Sequence, residues 1–290
     1  MNRCLAFIGA LIFAFISVSS ACTAAPGQWI HFTLESRGES GKIQVSFRKE
    51  VRDHDENNWS TGFRPSELAG LDLAAFRAGG TRPLRFAIVR EAGRLDCSGH
   101  GGEGYAAGNC SFTADQAFTQ LLARRGIGRP SDDQAFGLMA VNARRELINA
   151  VAAARYPTPT IDDLMALSAL GVDGAYIGGL AHVGYRPQTI HSLIEFKALG
   201  ISPDWIGGFV RIGYANVPPD ELVQLKALNI TPDYIAGFDR LGYRHLSVDK
   251  LVQLKALDVT PEFVSRISAV DGGLPPVEKL VQLKALGKVR

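Results

Sequence analysis

The chain is short of most features that announce a chemistry. Cysteine is scarce, with 4 residues in 290, too few for a fold built on disulfides. Neither sign of charge is in excess, since 31 Lys and Arg face 29 Asp and Glu. The balance holds in each half: residues 27–130 carry 14 basic and 12 acidic side chains, and residues 131–290 carry 16 and 17. Such totals argue against a general nucleic-acid binder, which needs a basic stripe. No HExxH motif is present, and no Ser-His-Asp or Cys-His order stands out; Ser98 and His100 are too close in one strand to act as nucleophile and base. After residue 18 no stretch is long and apolar enough to span a bilayer. Hydrophobic residues make up 46% and charged ones 21%, which excludes a largely disordered chain and suffices for one large or two modest domains.

What is there begins with a leader. Met1-Asn2-Arg3 is a short positive start, residues 4–18 (CLAFIGALIFAFISV) are almost wholly apolar, and small residues run to Pro26. Charge, apolar core and small-residue cleavage site are the pattern of a secretory signal, so residues 1–25 are read as one. Ser19-Ser20-Ala21-Cys22 partly resembles a bacterial lipoprotein box, with Ser where that pattern wants an apolar residue. A lipid on Cys22 would tether the protein to a membrane. Without it the mature chain is free in the periplasm or outside.

Two halves follow, with different apolar periods. Over residues 29–112 the period is two: Ile30, Phe32 and Leu34 alternate with polar residues, as do Ile43, Val45 and Phe47, and Leu84, Phe86 and Ile88. Leu95 with Cys97 and Cys110 with Phe112 continue the pattern. Alternation of this kind means half-buried strands, and about five are expected in an antiparallel sheet. Residues 66–76 are more helical, with Ser66 as the expected N-cap. Residues 53–56 (Asp-His-Asp-Glu) read as a solvated loop, and the competing reading is a metal or acid–base site around His54.

From residue 113 the period is helical and a repeat emerges. LVQLKAL stands at 222–228, 251–257 and 280–286, always 29 apart. Earlier steps give LIEFKAL at 193–199, LMALSAL at 164–170 and a worn copy from Ala135. This is a tandem array. Each unit reads as two short helices. The second opens on Thr231-Pro232-Asp233, a cap, a helix-starting proline and an acid at the positive end of the dipole. It closes on Gly242-Tyr243 as a Schellman stop. Pairs of such short helices cannot bury an apolar face alone, so they must stack. Gly178-Gly179 and Gly207-Gly208 sit inside second helices, where each Gly costs about 1 kcal/mol against Ala; close backbone packing is the expected compensation. The fold expected is α+β: a small antiparallel β-domain over residues 26–112, then an αα-solenoid of 29-residue repeats over 113–290. No Pro/Ser-rich linker separates them, so direct packing is expected.

The stretch 93–115 and the repeats from Leu164 onward resemble a family of exported bacterial proteins of unassigned activity. That family pairs an N-terminal β-domain with repeats of the type LVxLKALGVTPxYIxxLxxLGY. The repeats are also similar to those following membrane metallopeptidases of the β-lactam-sensor type. The resemblance implies architecture and an extracytoplasmic setting; without HExxH it carries over no peptidase activity.

Three features remain. Cys97 and Cys110 flank a Gly-rich hairpin, and a turn at Glu103-Gly104 would set them opposite each other. A disulfide is the reading for an exported chain, with free thiols or a metal or redox pair as alternatives. The match of residues 99–104 to G-x-G-x-x-G is read as turn glycines, because a strand rather than a helix follows. His182, His191 and His245 occupy three different repeat positions and make no metal spacing, so they read as solvent-facing or helix-end residues. Finally Gln224, Gln253 and Gln282, with Lys226, Lys255 and Lys284, recur off the leucine stripe. They are the candidate contact rows of a non-enzymatic interaction or scaffold protein whose partner is a protein or envelope component. No cofactor or nucleic acid is expected, and membrane contact only through Cys22. The alternatives are a sensor or regulatory accessory of envelope stress or β-lactam response, and a metal-assisted hydrolase using His54.

Overall fold

A computed structural model describes residues 30–36, 41–50 and 56–287. The leader (residues 1–25), Cys22, Asp53, His54 and Asp55 lie outside the described residues. The first half is one antiparallel sheet of six strands: β1 (Ile30–Ser36), β2 (Ile43–Glu50), β3 (Glu56–Phe63), β4 (Arg82–Arg90), β5 (Gly93–Gly102) and β6 (Tyr105–Ala114). They lie in the order β3-β2-β1-β6-β5-β4. Period two puts Ile30, Phe32, Leu34, Val45, Phe47, Phe86 and Leu95 on one buried face. Cys97 and Cys110 are direct partners across β5 and β6 and form a disulfide, their Cα atoms 4.0 Å apart. The hairpin turns at Glu103-Gly104, the register the alternation predicts.

Two expectations fail here. Five strands were expected and six form, because β3 (ENNWSTGF) has two Asn and little apolar alternation. It is an edge strand, held by β2 on one side and by Trp59, which stacks on its direct partner Phe47 at 4.9 Å. The helical insertion is also broken. Pro65–Glu67 is a single 3-10 turn, and α1 (Leu73–Arg77) is capped by Asp72, not Ser66. The Asp72 carboxylate accepts from the amides of Ala74 and Ala75. Gly70, at φ +81°, separates the two pieces.

Twelve helices follow: α2 (Gln116–Arg124), α3 (Asp132–Ala140), α4 (Arg145–Ala153), α5 (Ile161–Ala169), α6 (Gly174–His182), α7 (Ile190–Ala198), α8 (Pro203–Arg211), α9 (Pro219–Ala227), α10 (Pro232–Leu241), α11 (Val248–Ala256), α12 (Pro261–Asp271) and α13 (Val277–Ala285). The odd-numbered ones from α3 are first helices and stack on one another; the even-numbered ones from α4 do the same. Leu164, Leu193, Leu222, Leu251 and Leu280 are each buried at the same repeat position. After every first helix the chain turns through a left-handed residue, Asn142, Gly171, Gly200, Asn229, Asp258 or Gly287, at φ 51–68°. The start signals hold, since Ser202, Thr231 and Thr260 each accept from the amide three residues on. So does the stop: Gly242 is left-handed and the Tyr243 amide donates to the Phe238 carbonyl at 3.1 Å.

The register extends further back than the sequence motif. Helix α2 is a second helix, with Phe118, Leu122 and Gly126 at 29-residue offsets from Leu147, Val151 and Arg155 of the next unit. It lies directly after β6, so the array starts where the sheet ends. Helix α3 bridges the two. Lys49, buried at 4% exposure, bonds to Asp133 in the first turn of α3. Arg90 Nη1 donates to the carbonyls of Met139 and Ala140 at its last turn, at 2.8 and 2.6 Å. Both carbonyls lie in the last turn, at the negative end of the dipole, and that of Met139 also accepts from the Asn142 amide at 3.0 Å. The Arg90 guanidinium also lies over the Phe63 and Trp59 rings, at 5.2 and 5.5 Å. Glu91 caps α4 by accepting from the Arg145 amide at 2.8 Å. The sheet and array are therefore packed directly.

One steric contact recurs between second helices. A Cβ on Gly179 would lie 2.8 Å from Pro203 Cγ; on Gly208, 2.9 Å from Pro232 Cγ; on Gly237, 2.5 Å from Pro261 Cγ. The helix-starting proline of each unit thus seats on a glycine of the unit before. One step earlier the sizes are exchanged, with Ala150 facing Gly174. At the same position of α12 stands Arg266, exposed, with no second helix after it among the described residues. Only the second glycine of each pair has this role, since a Cβ on Gly178 meets nothing within 4 Å. Gly178→Ala should therefore raise stability by about 0.5–1 kcal/mol, while Gly237→Ala should lower it by about 1–3 kcal/mol through overpacking. Thermal melts of the two variants, moving in opposite directions, check this.

Candidate interaction surface on the repeat array

The two candidate rows fall in different surroundings. Gln224, Gln253 and Gln282 are exposed. Lys226, Lys255 and Lys284 are half-buried. Residues two apart on a helix do not share a face, so Gln and Lys form two separate rows. The lysines have partners. Lys226 Nζ lies 5.1 Å from the Trp205 ring centre, Lys255 4.9 Å from Tyr234, and Lys284 4.8 Å from Phe263. Lys197, one unit earlier, lies 4.4 Å from Tyr176. Each ammonium, in the last turn of a first helix, covers an aromatic ring in the first turn of the preceding second helix.

From α4 onward the two residue types go together; one unit earlier they part, with Phe118 at the ring position and Met139 at the cation position. The offset is 21 residues. Where the aromatic position holds Leu147, the cation position holds Ser168, and Ser168 turns back to donate to the Leu164 carbonyl at 2.7 Å. A hollow of about 270 Å³ remains there, lined by Leu147, Ser168 and Asp173 among others. A ring–cation contact contributes about 0.5–1 kcal/mol when exposed and about 2 when desolvated. The lysine row is thus part of what holds the units together.

Tyrosine hydroxyls add a second set of links. Tyr176 Oη donates to the Ile201 carbonyl at 2.7 Å and Tyr234 Oη to that of Val259 at 2.8 Å. Tyr214 Oη donates to Leu246 at 2.7 Å, and Tyr243 Oη to Pro275. Each bond spans the gap to the next unit and each needs the phenol protonated. Burial pushes Tyr176 up to about 12, with Tyr156 nearby adding to it. Burial also pushes Tyr185 and Tyr214 up to about 12, with Asp220 and Asp239 adding to the two in turn. Tyr234 is pushed up by burial and by Asp258.

His182, His191 and His245 are all exposed, as expected of solvent-facing or helix-end residues. Among the described residues no group of three His, Cys, Asp or Glu is placed to hold a metal ion. The lysine–aromatic pairs are what sequence reasoning missed. The signal was present as a 21-residue offset, but the leucine repeat draws attention to the 29-residue one. No family model matches the chain, and no curated protein matches its sequence.

Two outcomes follow from this geometry. A phenol whose folded pKa lies above its unfolded value binds more protons when folded, so its contribution is whole below about pH 10. It is lost as pH rises through about 12. Melts from pH 9 to 12 should show stability falling steeply above about pH 10, together with late phenolate absorbance. Second, a double-mutant cycle of Lys255→Ala and Tyr234→Leu should give a coupling of about 0.5–2 kcal/mol. Additive losses would remove the cation–ring contact as an explanation.

Proposed function

We propose that this protein is a non-enzymatic interaction module whose repeat array holds a protein or cell-envelope partner along the exposed glutamine row. The observation that carries the reading is the row itself. Gln224, Gln253 and Gln282 are exposed at one repeat position, on helices fixed in register by buried leucines. Their neighbours in the row are Ala166 and Glu195, so the matched amides belong to the last three units. Stacked helices lie about 8–10 Å apart, which makes the row a rigid ruler of side chains that can each donate and accept. Solenoids bind partners along such surfaces. The lysines, occupied by rings, are the weaker candidates for contact.

The setting we propose is extracytoplasmic. The leader over residues 1–25 supports it, as does the resemblance to exported repeat proteins. The buried Cys97–Cys110 disulfide is consistent with an oxidising compartment. A lipid on Cys22 would keep the array at a membrane surface, and the mass of the mature N-terminal peptide distinguishes lipidated from free chain.

The test compares two triple variants in quantitative crosslinking against the cell envelope. Gln224→Arg, Gln253→Arg and Gln282→Arg together should leave the melt unchanged and reduce capture of the wild-type partner at least tenfold. Lys226→Ala, Lys255→Ala and Lys284→Ala together should lower the melting temperature and leave capture by the folded fraction intact. Capture that is lost in the lysine variant and kept in the glutamine variant would move the contact to the other row.

A further inference from the structure

We infer that the repeat array carries a hinge between α8 and α9, so that α9–α13, with all three glutamines, turns as one body against the sheet and α2–α8. From α3 onward every other joint between units is tied by side-chain bonds. Tyr176 in α6 donates to the Ile201 carbonyl just before α8, and Tyr234 in α10 to the Val259 carbonyl just before α12. Tyr214 and Tyr243, in the loops before α9 and α11, reach the carbonyls of Leu246 and Pro275 before α11 and α13. Lys250 in α11 pairs with Glu278 in α13 at 3.1 Å. At the first joint the two tyrosine positions hold Ile127 and Leu147, which have no hydroxyl. There Gln134 Nε2 donates to Asp162 at 3.2 Å and Arg186 Nη2 to the Arg155 carbonyl at 2.6 Å.

The joint that sets α7 and α8 against α9 and α10 has neither tyrosine bond. Tyr185 occupies the repeat position of Tyr214 and Tyr243, yet its buried Oη has no partner. The repeat position of Tyr176 and Tyr234 holds Trp205, which has no hydroxyl to meet the Ile230 carbonyl. Among the described residues no side-chain hydrogen bond or ion pair joins α7 or α8 to α9 or α10. Helix α7 on α9, and α8 on α10, are also the loosest neighbours in the two stacks from α3 onward. What holds this joint is the seat of Pro232 on Gly208, the buried leucines, and Lys226 over Trp205 at 5.1 Å, the longest of the four lysine–ring distances. Hydrogen bonds fix both distance and angle, whereas apolar contact has no direction. This joint can therefore rotate about the proline seat and stay closed, while its neighbours cannot. Pro218 and Pro219 fix φ at the entry to α9, which leaves residues 212–217 to take up the bend, as a short loop does in a hinge. Gln224, Gln253 and Gln282 all lie beyond it, so their row keeps its spacing while its direction relative to the sheet changes.

The repeat supplies its own control. His191, Asp220, Asp249 and Glu278 are exposed at one repeat position, 29 residues apart. Spin labels on His191→Cys with Asp249→Cys span two unit steps that include the hinge; on Asp220→Cys with Glu278→Cys they span two steps beyond it. Both pairs are made in the full mature chain with Cys22→Ser, leaving the Cys97–Cys110 disulfide intact. Pulsed dipolar spectroscopy should give a distance distribution about twice as wide for the first pair as for the second. Trp205→Tyr, which places a hydroxyl opposite Ile230, should narrow the first distribution. Tyr234→Phe, which removes a bonded hydroxyl, should widen the second, and Tyr185→Phe, which removes an unbonded one, should leave the first as it is. Equal widths for the two pairs would overturn the hinge. Widths that neither Trp205→Tyr nor Tyr234→Phe moves would overturn the missing tyrosine bonds as its cause.

Discussion

A proline ring resting on a glycine sets the geometry on which the repeat array depends. Helices of nine to eleven residues are marginal alone and gain stability from what they pack against. Their packing distance is fixed at the tightest point. In α8, α10 and α12 that point is the first turn, where the helix-starting proline meets Gly179, Gly208 or Gly237 of the preceding unit. The contact brings successive second helices close enough for two further links to reach. Lysine ammoniums cover the rings behind them, and tyrosine hydroxyls reach carbonyls of the next unit.

The array needs different solutions at its two ends. At the amino end the sheet supplies one. Lys49 and Arg90 grip opposite ends of α3, one through a carboxylate in its first turn and one through carbonyls of its last turn. Both cations lie against rings, Lys49 over Phe136 and Arg90 over Phe63 and Trp59. The charges are thus satisfied by backbone, carboxylate and π-face together, which offsets the cost of burying them. At the last second helix, Arg266 occupies the position that receives the next proline in earlier units.

Two surfaces remain after the structural ones are accounted for. The lysine row and the tyrosine row belong to the fold. The glutamine row and the polar sheet face do not contribute to packing, and they lie on different parts of the molecule. Their chemistries differ as well. The glutamines offer matched neutral donors and acceptors at the helix spacing. The sheet face carries guanidiniums and carboxylates together, among hydroxyls and amides.

The sequence alone determined the α+β order, the 29-residue period, the caps and stops of the repeat helices, and the opposition of Cys97 and Cys110. These are local or strictly periodic properties, governed by side-chain alternation, cap chemistry and the conformations open to Gly and Pro. Tertiary structure decided what depends on contact between elements. It made β3 a strand, because β2 offers it a ladder and Phe47 a ring to stack on, although its own alternation is weak. It chose Asp72 over Ser66 as a cap because Gly70 breaks the chain between them. It separated Gly178 from Gly179, which are alike in sequence but differ in having a proline across the gap. It also took the lysines out of the exposed surface, since a ring 21 residues earlier becomes a neighbour only once the units stack. Periodicity states which residues are equivalent; only packing states which of the equivalent residues touch.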